Sequence, residues 1–373
     1  MRNTYVTISG SAIRANIRAT KKIAGNSKIC CVIKADAYGH GMVPVAKILS
    51  SEGVDYFAVA LTDEAVELRT AGIIEPILVM GAIEKQSIEI CIKNNISITV
   101  SSVEKLKEIE RVARESSIRA VIHIKIDTGM GRVGIHFDRA FPLIEYAHQL
   151  QNENIIFCEG IYSHFADSAD ADFSELQFNR LMNVIDQAKN IGLEFSLQHI
   201  SNSLGIILHP EYHLSMIRPG IMLYGIEPEQ DTSVLNDEFE PVLSWKTSVA
   251  YFKVVHHGET VGYTGTWTPA DEYARVITLP VGYADGFPRR LSNKGSVIVN
   301  GKKYPIVGRV SMDQSTVSLG MVGEAYLGDE VILIGKGGEQ EISVQDIARL
   351  IDTTPHEITT TITARVRRVI IDG

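Results

Sequence analysis

The sequence lacks any excess of positive charge. Its 36 Lys and Arg are outnumbered by 45 Asp and Glu among 373 residues, a formal net charge of -9. A surface that grips nucleic acid through its phosphates needs a basic excess, so nucleic-acid binding is excluded as the main role. Long apolar runs are also missing. None approaches the ~18 residues of a bilayer span. The opening MRNTYVTISG has no apolar core of signal-peptide length. A soluble cytoplasmic protein with no membrane partner is therefore expected. Cysteine is scarce: Cys30, Cys31, Cys91 and Cys158 form no CxxC pair and sit in apolar segments. They read as core thiols and not as a zinc or redox site, so no metal is expected. No repeat or low-complexity tract is evident. What is present is ordinary for a globular chain, with 45% hydrophobic and 22% charged residues. At roughly 150 residues per domain the length predicts two or three domains.

The first two-thirds alternates short apolar runs with amphipathic stretches. Eight runs stand out: 29–34, 56–60, 76–80, 96–100, 120–127, 155–164, 195–201 and 216–225. They are too apolar for one-sided strands and read as strands buried on both faces. Helical patterns lie between them. One starts with Thr62 as N-cap and stops at Gly72; others start at Ser102 and Ser174. Eight strands with helical crossovers predict an α/β fold, a parallel (β/α)8 barrel of the TIM type. An amphipathic segment from Ser11 to about Ala24 precedes the first strand, and no clear helix follows the eighth. The N-terminal helix is therefore expected to fill the eighth helical place.

Residues 227–240 form a polar connector. Beyond it the runs 244–255, 275–283, 296–308, 309–319, 330–335 and 365–371 are rich in Val, Ile and Thr, and Asn300-Gly301 signals a hairpin turn. One short helix, 343–351, has Ser343 as its N-cap. The reading is a barrel over 1–235 and a mostly β C-terminal domain over 236–373.

Polar residues gather just after the barrel strands. Lys34 ends strand one, Lys125 and Asp127 end strand five, and His164 ends strand six. Asn202 and Ser203 follow strand seven, and Arg218, Gly220 and Ile221 lie at strand eight. Barrel enzymes place their sites on this face, and phosphate sites favour the loops after strands seven and eight. Lysine is rare in a buried strand, and an arginine inside an apolar run is costly unless paired. His164 could equally be a satisfied core histidine, and Asn202 could simply cap the next helix. A buried lysine beside a phosphate site suggests pyridoxal 5'-phosphate, whose aldehyde a lysine amine holds as a Schiff base.

Taken in order, these segments resemble a known family. Val32-Ile-Lys34-Ala-Asp-Ala-Tyr38-Gly-His-Gly41 is similar to the cofactor-lysine signature of alanine racemases. The resemblance continues through Lys125-Ile-Asp-Thr-Gly-Met-Gly-Arg132, Ser163-His-Phe-Ala166, Asn202-Ser203 and Arg218-Pro-Gly-Ile221. It runs on through Val261-Gly-Tyr263-Thr-Gly-Thr266, Pro280-Val-Gly-Tyr283-Ala-Asp-Gly286 and Val307-Gly-Arg309-Val-Ser-Met312-Asp-Gln314. It implies a pyridoxal phosphate-dependent isomerase that interconverts L- and D-alanine by two-base proton transfer at Cα, supplying D-alanine for peptidoglycan.

The resemblance also implies roles. Lys34 carries the cofactor and is one base. Tyr263 is the other, reaching the partner's site in a homodimer. Tyr38, Ser203, Gly220 and Ile221 hold the phosphate, with Asn202 beside them. His164 lies against the ring and Arg218 bonds the pyridine nitrogen. Arg132, Met312 and Asp313 border the substrate, and Tyr283 lines the entrance. Lys125 matches a lysine that is carbamylated in many members and orients Arg132. The family usually has tyrosine at the phosphate-contacting place of His356. Racemases acting on serine also depart from tyrosine there, so a serine or broader-specificity racemase is the alternative.

Other readings fare worse. Gly129-Met-Gly-Arg-Val-Gly134 matches GxGxxG but follows the fifth strand, where no early βαβ unit exists. In His209-Pro-Glu-Tyr-His213 the proline opposes a regular helix bearing both histidines as metal ligands. A basic amino acid decarboxylase of similar design lacks the VGYTGT and SMDQ combination. Barrel-type pyridoxal phosphate carriers stop after the barrel.

Overall fold

The computed structural model describes residues 3–228 and 233–372. Residues 229–232 of the expected connector lie outside the described residues.

All eight expected barrel strands form, at Lys28–Val32, Tyr56–Val59, Ile77–Val79, Ser97–Val100, Ala120–Asp127, Ile156–Tyr162, Leu197–His199 and Met216–Ile217. From the first to the seventh, each pairs in parallel with the next, and Met216–Ile217 pairs back onto Lys28–Val32. Between the last two strands there is no regular ladder; the Arg218 amide donates to the Ser201 carbonyl at 3.1 Å across the gap. Tyr56–Val59, Ile77–Val79 and Ser97–Val100 are buried at every position. That explains why charged residues are missing from them, since side chains alternate between the barrel interior and the surrounding helices. The eighth strand is shorter than expected. Pro219 has no amide to donate, and 221–224 tighten into a 3-10 turn instead.

The helices follow their apolar spacing. Val103–Ser116 buries Leu106, Ile109, Val112 and Ala113, and Ser102 caps it by accepting from the Lys105 amide at 3.1 Å. Two expected caps shift. Helix Thr62–Thr70 has Leu61, not Thr62, at its N-cap, because Glu64 reaches back and accepts from the Leu61 amide at 3.0 Å. The helix expected from Ser174 starts at Ala171, capped by Asp170. Helix Gly10–Ala24 packs against helix Met42–Ser51 and the turn 221–224, so it takes the eighth helical place. Asn16 fixes it there. Its amide donates to the Leu223 and Glu240 carbonyls at 3.0 and 2.9 Å, and its carbonyl accepts from the Glu240 amide at 2.7 Å.

The C-terminal part builds two sheets. The larger runs Lys302–Pro305, Ser296–Val299, Glu330–Gly337, Leu243–Ser248, Tyr5–Ser9, Arg367–Ile371, with Gln340–Ile342 added on Glu330–Gly337. The smaller runs Tyr251–His256, Tyr273–Leu279, Ser315–Gly320. The strand Tyr5–Ser9, counted with the barrel in the sequence reading, pairs with Leu243–Ser248 and Arg367–Ile371. Its alternating burial suits a one-sided sheet. The single run expected at 244–255 breaks at 249–250 and feeds both sheets. The run expected at 309–319 is strand only from Ser315; residues 309–314 form a loop. The Asn300-Gly301 hairpin forms with positive φ at both residues. A helix at Pro355–Thr360 was not anticipated. Among the described residues no helix is long and apolar enough to cross a membrane.

Candidate active site

Lys34 stands at the C-terminal end of the first barrel strand, where the backbone takes an unusual course. Ala35, Asp36, Ala37 and Tyr38 all have φ between 52 and 54°. A left-handed turn of four non-glycine residues costs about 1–2 kcal/mol per residue, so the surroundings must impose it. Glu64 accepts from the Ala35 amide at 2.6 Å and from the Ala60 amide at 2.8 Å. Asp36 accepts from the Met42 amide at 2.7 Å. His40 donates from Nδ1 to the Ala37 and Tyr38 carbonyls at 2.9 and 3.0 Å. Gly39 closes the turn against the Thr359 carbonyl, where a Cβ would sit 2.1 Å from the oxygen.

His40 is fully buried, stacked on Tyr224 at 4.2 Å, and its Nε2 has no partner among the described residues. Burial therefore pushes its pKa down to about 4, with Arg368 adding to the fall against the two carbonyl bonds. Unfolded histidine titrates near ~6.5. Between about 6.5 and about 4 the unfolded chain binds the extra proton, so stability should fall as pH falls through that window. Urea unfolding of His40→Phe between pH ~7 and ~5 is expected to lose part of this slope; an unchanged slope would refute it.

Lys34 borders a cavity of about 340 Å³. Tyr38, Arg132, His164, Asn202, Ser203, Arg218, Gly220, Ile221 and His356 line it as well. An adjoining recess adds Lys125 and Tyr162. Ten of the expected residues thus converge on one cavity, with Lys125 at its margin. Tyr263, Tyr283, Met312 and Asp313 do not line it. Tyr263 lies 70% exposed on a 3-10 turn beside a separate cleft with Tyr251 and Arg309. Tyr283 and Met312 lie on adjoining loops, the Tyr283 and Ala284 amides donating to the Ser311 and Met312 carbonyls at 3.0 Å. Asp313 pairs with Arg365 at 2.7 Å.

The charges are arranged for a group with a phosphate and a basic ring. Burial and then Arg132 lower the Lys34 pKa, opposed by Glu64. Burial, with Arg218 and Lys125 as the next causes, holds His164 well below its usual range, so its ring is neutral. Burial also brings Lys125 down to about 7, helped by Arg218 and Arg132. Arg218 is buried, and among the described residues no carboxylate pairs with it. Its Nη2 donates to the Ser163 and Ile200 carbonyls at 2.8 and 2.9 Å and to His164 Nδ1 at 3.2 Å, and its Nη1 donates to His199 Nδ1 at 2.7 Å. Ser203 Oγ accepts from the Gly220 amide at 2.9 Å. A Cβ on Gly220 would lie 2.5 Å from Tyr38 Oη, so only glycine leaves this cradle open. Asn202 both lines the cavity and caps helix Ser203–Leu208, accepting from the Gly205 amide at 2.9 Å. His356 packs near Tyr38, ring centroids 5.8 Å apart. An amine, an anion cradle and a buried cation around one cavity fit pyridoxal phosphate.

Two features escaped the sequence reading. Glu64 was not singled out within its helix, although an acid in a helix's first turn is where backbone amides converge. His123 and His199 lie in buried strands and carried the same signal as His164. His209 and His213 bond the Ser168 and Ile206 carbonyls at 2.8 Å, as loop histidines. No cluster of metal-binding type occurs among the described residues.

The family model for the alanine racemase N-terminal domain matches residues 8–228, and that for the C-terminal domain matches 242–370. The chain is 41% identical to an alanine racemase of Halothermothrix orenii, covering 98% of this chain and 96% of the relative. It is 39% identical to one of Carboxydothermus hydrogenoformans over the whole of both. Among solved structures, alanine racemase from D-cycloserine-producing Streptomyces lavendulae superposes with a TM-score of 0.96 at 32% identity, covering 100% of this chain and 98% of that one. That from Bacillus anthracis with bound L-Ala-P gives 0.92 at 35%, covering 100% and 96%. With both family domains matched in order along an (β/α)8 barrel and its β companion, this chain belongs to the alanine racemase family.

Proposed function

We propose that this chain interconverts L- and D-alanine by moving the proton on the substrate Cα, with one base on each face. The observation that carries this is the convergence of Lys34, His164, Arg218 and the Ser203–Gly220 cradle on one cavity in an alanine racemase chain. The cofactor, pyridoxal 5'-phosphate, supplies an aldehyde for amines and a ring that takes up the electron pair left when Cα–H breaks.

Lys34 holds the cofactor through Nζ and serves as base on one face. Tyr38, Ser203, and the amides of Gly220 and Ile221 hold the phosphate, with Asn202 and His356 at its margin. His164, kept neutral, packs against the ring without adding charge. Arg218 donates to the ring nitrogen. An arginine does not surrender its proton, so Arg218 would leave the ring nitrogen unprotonated, which would weaken the ring as an electron sink and disfavour transamination. Arg132, Met312 and Asp313 border the substrate and Tyr283 the entrance.

Tyr263 is the base of the opposite face, supplied by the partner subunit of a homodimer. Its exposure, away from the cavity that holds Lys34, supports a role outside its own chain. Lys125, with a pKa near 7, has a reactive neutral amine at ordinary pH. Its amine nitrogen adds to the carbon of carbon dioxide and gives up one proton to water, and the carbamate's negative charge orients Arg132; absence of a carbamate carbon signal by 13C NMR in 13C-bicarbonate at neutral pH would count against this. The division at 235–236, with Tyr5–Ser9 crossing to the β unit, separates the cofactor-binding part from the part that carries Tyr263. A cytoplasmic location and a supply of D-alanine to peptidoglycan complete the reading.

The test is a racemisation assay of the purified chain with pyridoxal phosphate over a panel of L-amino acids. Alanine should turn over fastest. Faster turnover of L-serine would overturn the substrate, and no racemisation of any amino acid would overturn the reaction.

A further inference from the structure

The buried side chains behind Arg218 form a hydrogen-bonded line through the barrel interior. Arg218 Nη1 meets His199 Nδ1 at 2.7 Å, His199 Nε2 meets His123 Nδ1 at 3.0 Å, and His123 Nε2 meets Glu159 Oε2 at 3.1 Å. Tyr56 Oη reaches the same carboxylate oxygen at 2.8 Å and Ser97 Oγ at 2.6 Å. His123 and His199 are fully buried.

The direction of every bond in this line is determined. Arginine only donates, so His199 Nδ1 accepts. The single proton of a neutral His199 then sits on Nε2 and is donated to His123 Nδ1. The His123 proton is left on Nε2 and goes to the carboxylate. Arg218, which only donates, and Glu159, which only accepts, thus require the same two tautomers from opposite ends of the line. A carboxylate behind a histidine also makes the ring a stronger acceptor at its other nitrogen, as it does behind metal-bound histidines.

The backbone is built to place that carboxylate. Strand 156–162 pairs regularly with 120–125 except at one point, where Ile122 faces Cys158 and His123 faces Gly160. Glu159 is the extra residue of this bulge, and bulges re-aim side chains. Gly160 makes room for the ring: a Cβ there would lie 2.4 Å from His123 Nδ1. Tyr162 stacks on His199 with ring centroids 4.7 Å apart and fixes its plane.

We infer that Glu159 is a positioning residue for Arg218, acting through His123 and His199 to hold the guanidinium as a fixed donor toward the cofactor's ring nitrogen. This rests on the role proposed above for Arg218.

The test uses two variants. Glu159→Met removes the acceptor; Glu159→Gln keeps an acceptor but removes the charge. NMR of isotope-labelled imidazole nitrogens, on the chain without cofactor, should show His123 and His199 as single Nε2–H tautomers in the parent. Glu159→Met should lose that uniformity at His123, whose Nε2–H is left without its carboxylate, while Arg218 still orders His199. With pyridoxal phosphate bound, its ratio of transamination to racemisation should rise about tenfold, the lower end of what losing an outer partner costs in metal sites. The KM for L-alanine should move by less than about twofold, because the substrate's own contacts are untouched. Glu159→Gln should move the ratio in the same direction by less, and Arg218→Glu marks the full loss. Unchanged tautomers in a folded Glu159→Met, or altered tautomers with an unchanged ratio, would overturn the inference. If Glu159→Met does not fold, an unchanged ratio in Glu159→Gln overturns it. If the parent chain does not racemise at all, the reaction has failed, and the tautomer measurement alone still decides for or against the line from Glu159.

Discussion

Lys34→Ala should abolish racemisation, lowering kcat by at least about 10⁴-fold. That is the upper end for loss of one positioned base, and here the covalent hold on the cofactor goes as well. The absorbance of the lysine-bound cofactor should vanish with it. The variant should fold. Lys34 is a largely buried amine whose pKa is lowered by burial and by Arg132, so its removal relieves a desolvation cost. The strained turn behind it rests on Glu64, Asp36 and His40, all untouched by the change. D-alanine formation and thermal unfolding, measured side by side, check both halves. A variant that racemises at even a tenth of the parent rate would remove Lys34 from the chemistry.

Tyr263→Phe should lower racemisation by about 10²–10⁴-fold, the range for one acid or base. It should leave cofactor absorbance intact, because Tyr263 does not line the cavity that holds Lys34. With Lys34 still present, solvent deuterium should exchange into Cα of one alanine enantiomer and not the other. The same variant tests the dimer. In a mixture with Lys34→Ala, each mixed dimer would contain one complete site if Tyr263 serves its partner, since an isologous pair exchanges equivalent surfaces. Activity should therefore return on mixing two inactive proteins. No recovery, in a mixture shown to exchange subunits, would place both bases within one chain and contradict the proposal.

Much of the barrel was legible because its strands are buried on both faces. Run 56–59 has no strongly polar side to blur the pattern, and in 97–100 even Ser97 and Thr99 are buried. Strand ends were less legible where local chemistry overrode apolarity. Pro219 ends the eighth strand early, and the 244–255 run divides between two sheets although no turn signal marks the break. Helix starts were missed where a later acid did the capping, as Glu64 does for Leu61.

The site divides in the same way. Lys34, Arg218 and His164 announced themselves as charged or titratable groups in apolar strands, where each needs a reason to be. His123 and His199 carried the same signal but had no partner in sequence to give it meaning. Glu159 lies within the run 155–164 read as a buried strand and drew no reading of its own; the one-residue bulge that aims it is a tertiary feature.

By itself the sequence determined the eight-strand barrel, the β unit behind it, and the side chains gathered at the strand ends, because burial period and residue chemistry are local properties. Only the tertiary structure decided which of those side chains share a cavity, and that Tyr263 stands outside it. It also drew Tyr5–Ser9 across to the β sheet, held four residues after Lys34 in a left-handed turn, and lined up Glu159, His123, His199 and Arg218. Each of these depends on groups far apart in the chain meeting at hydrogen-bond distance, and spacing along the sequence does not encode that.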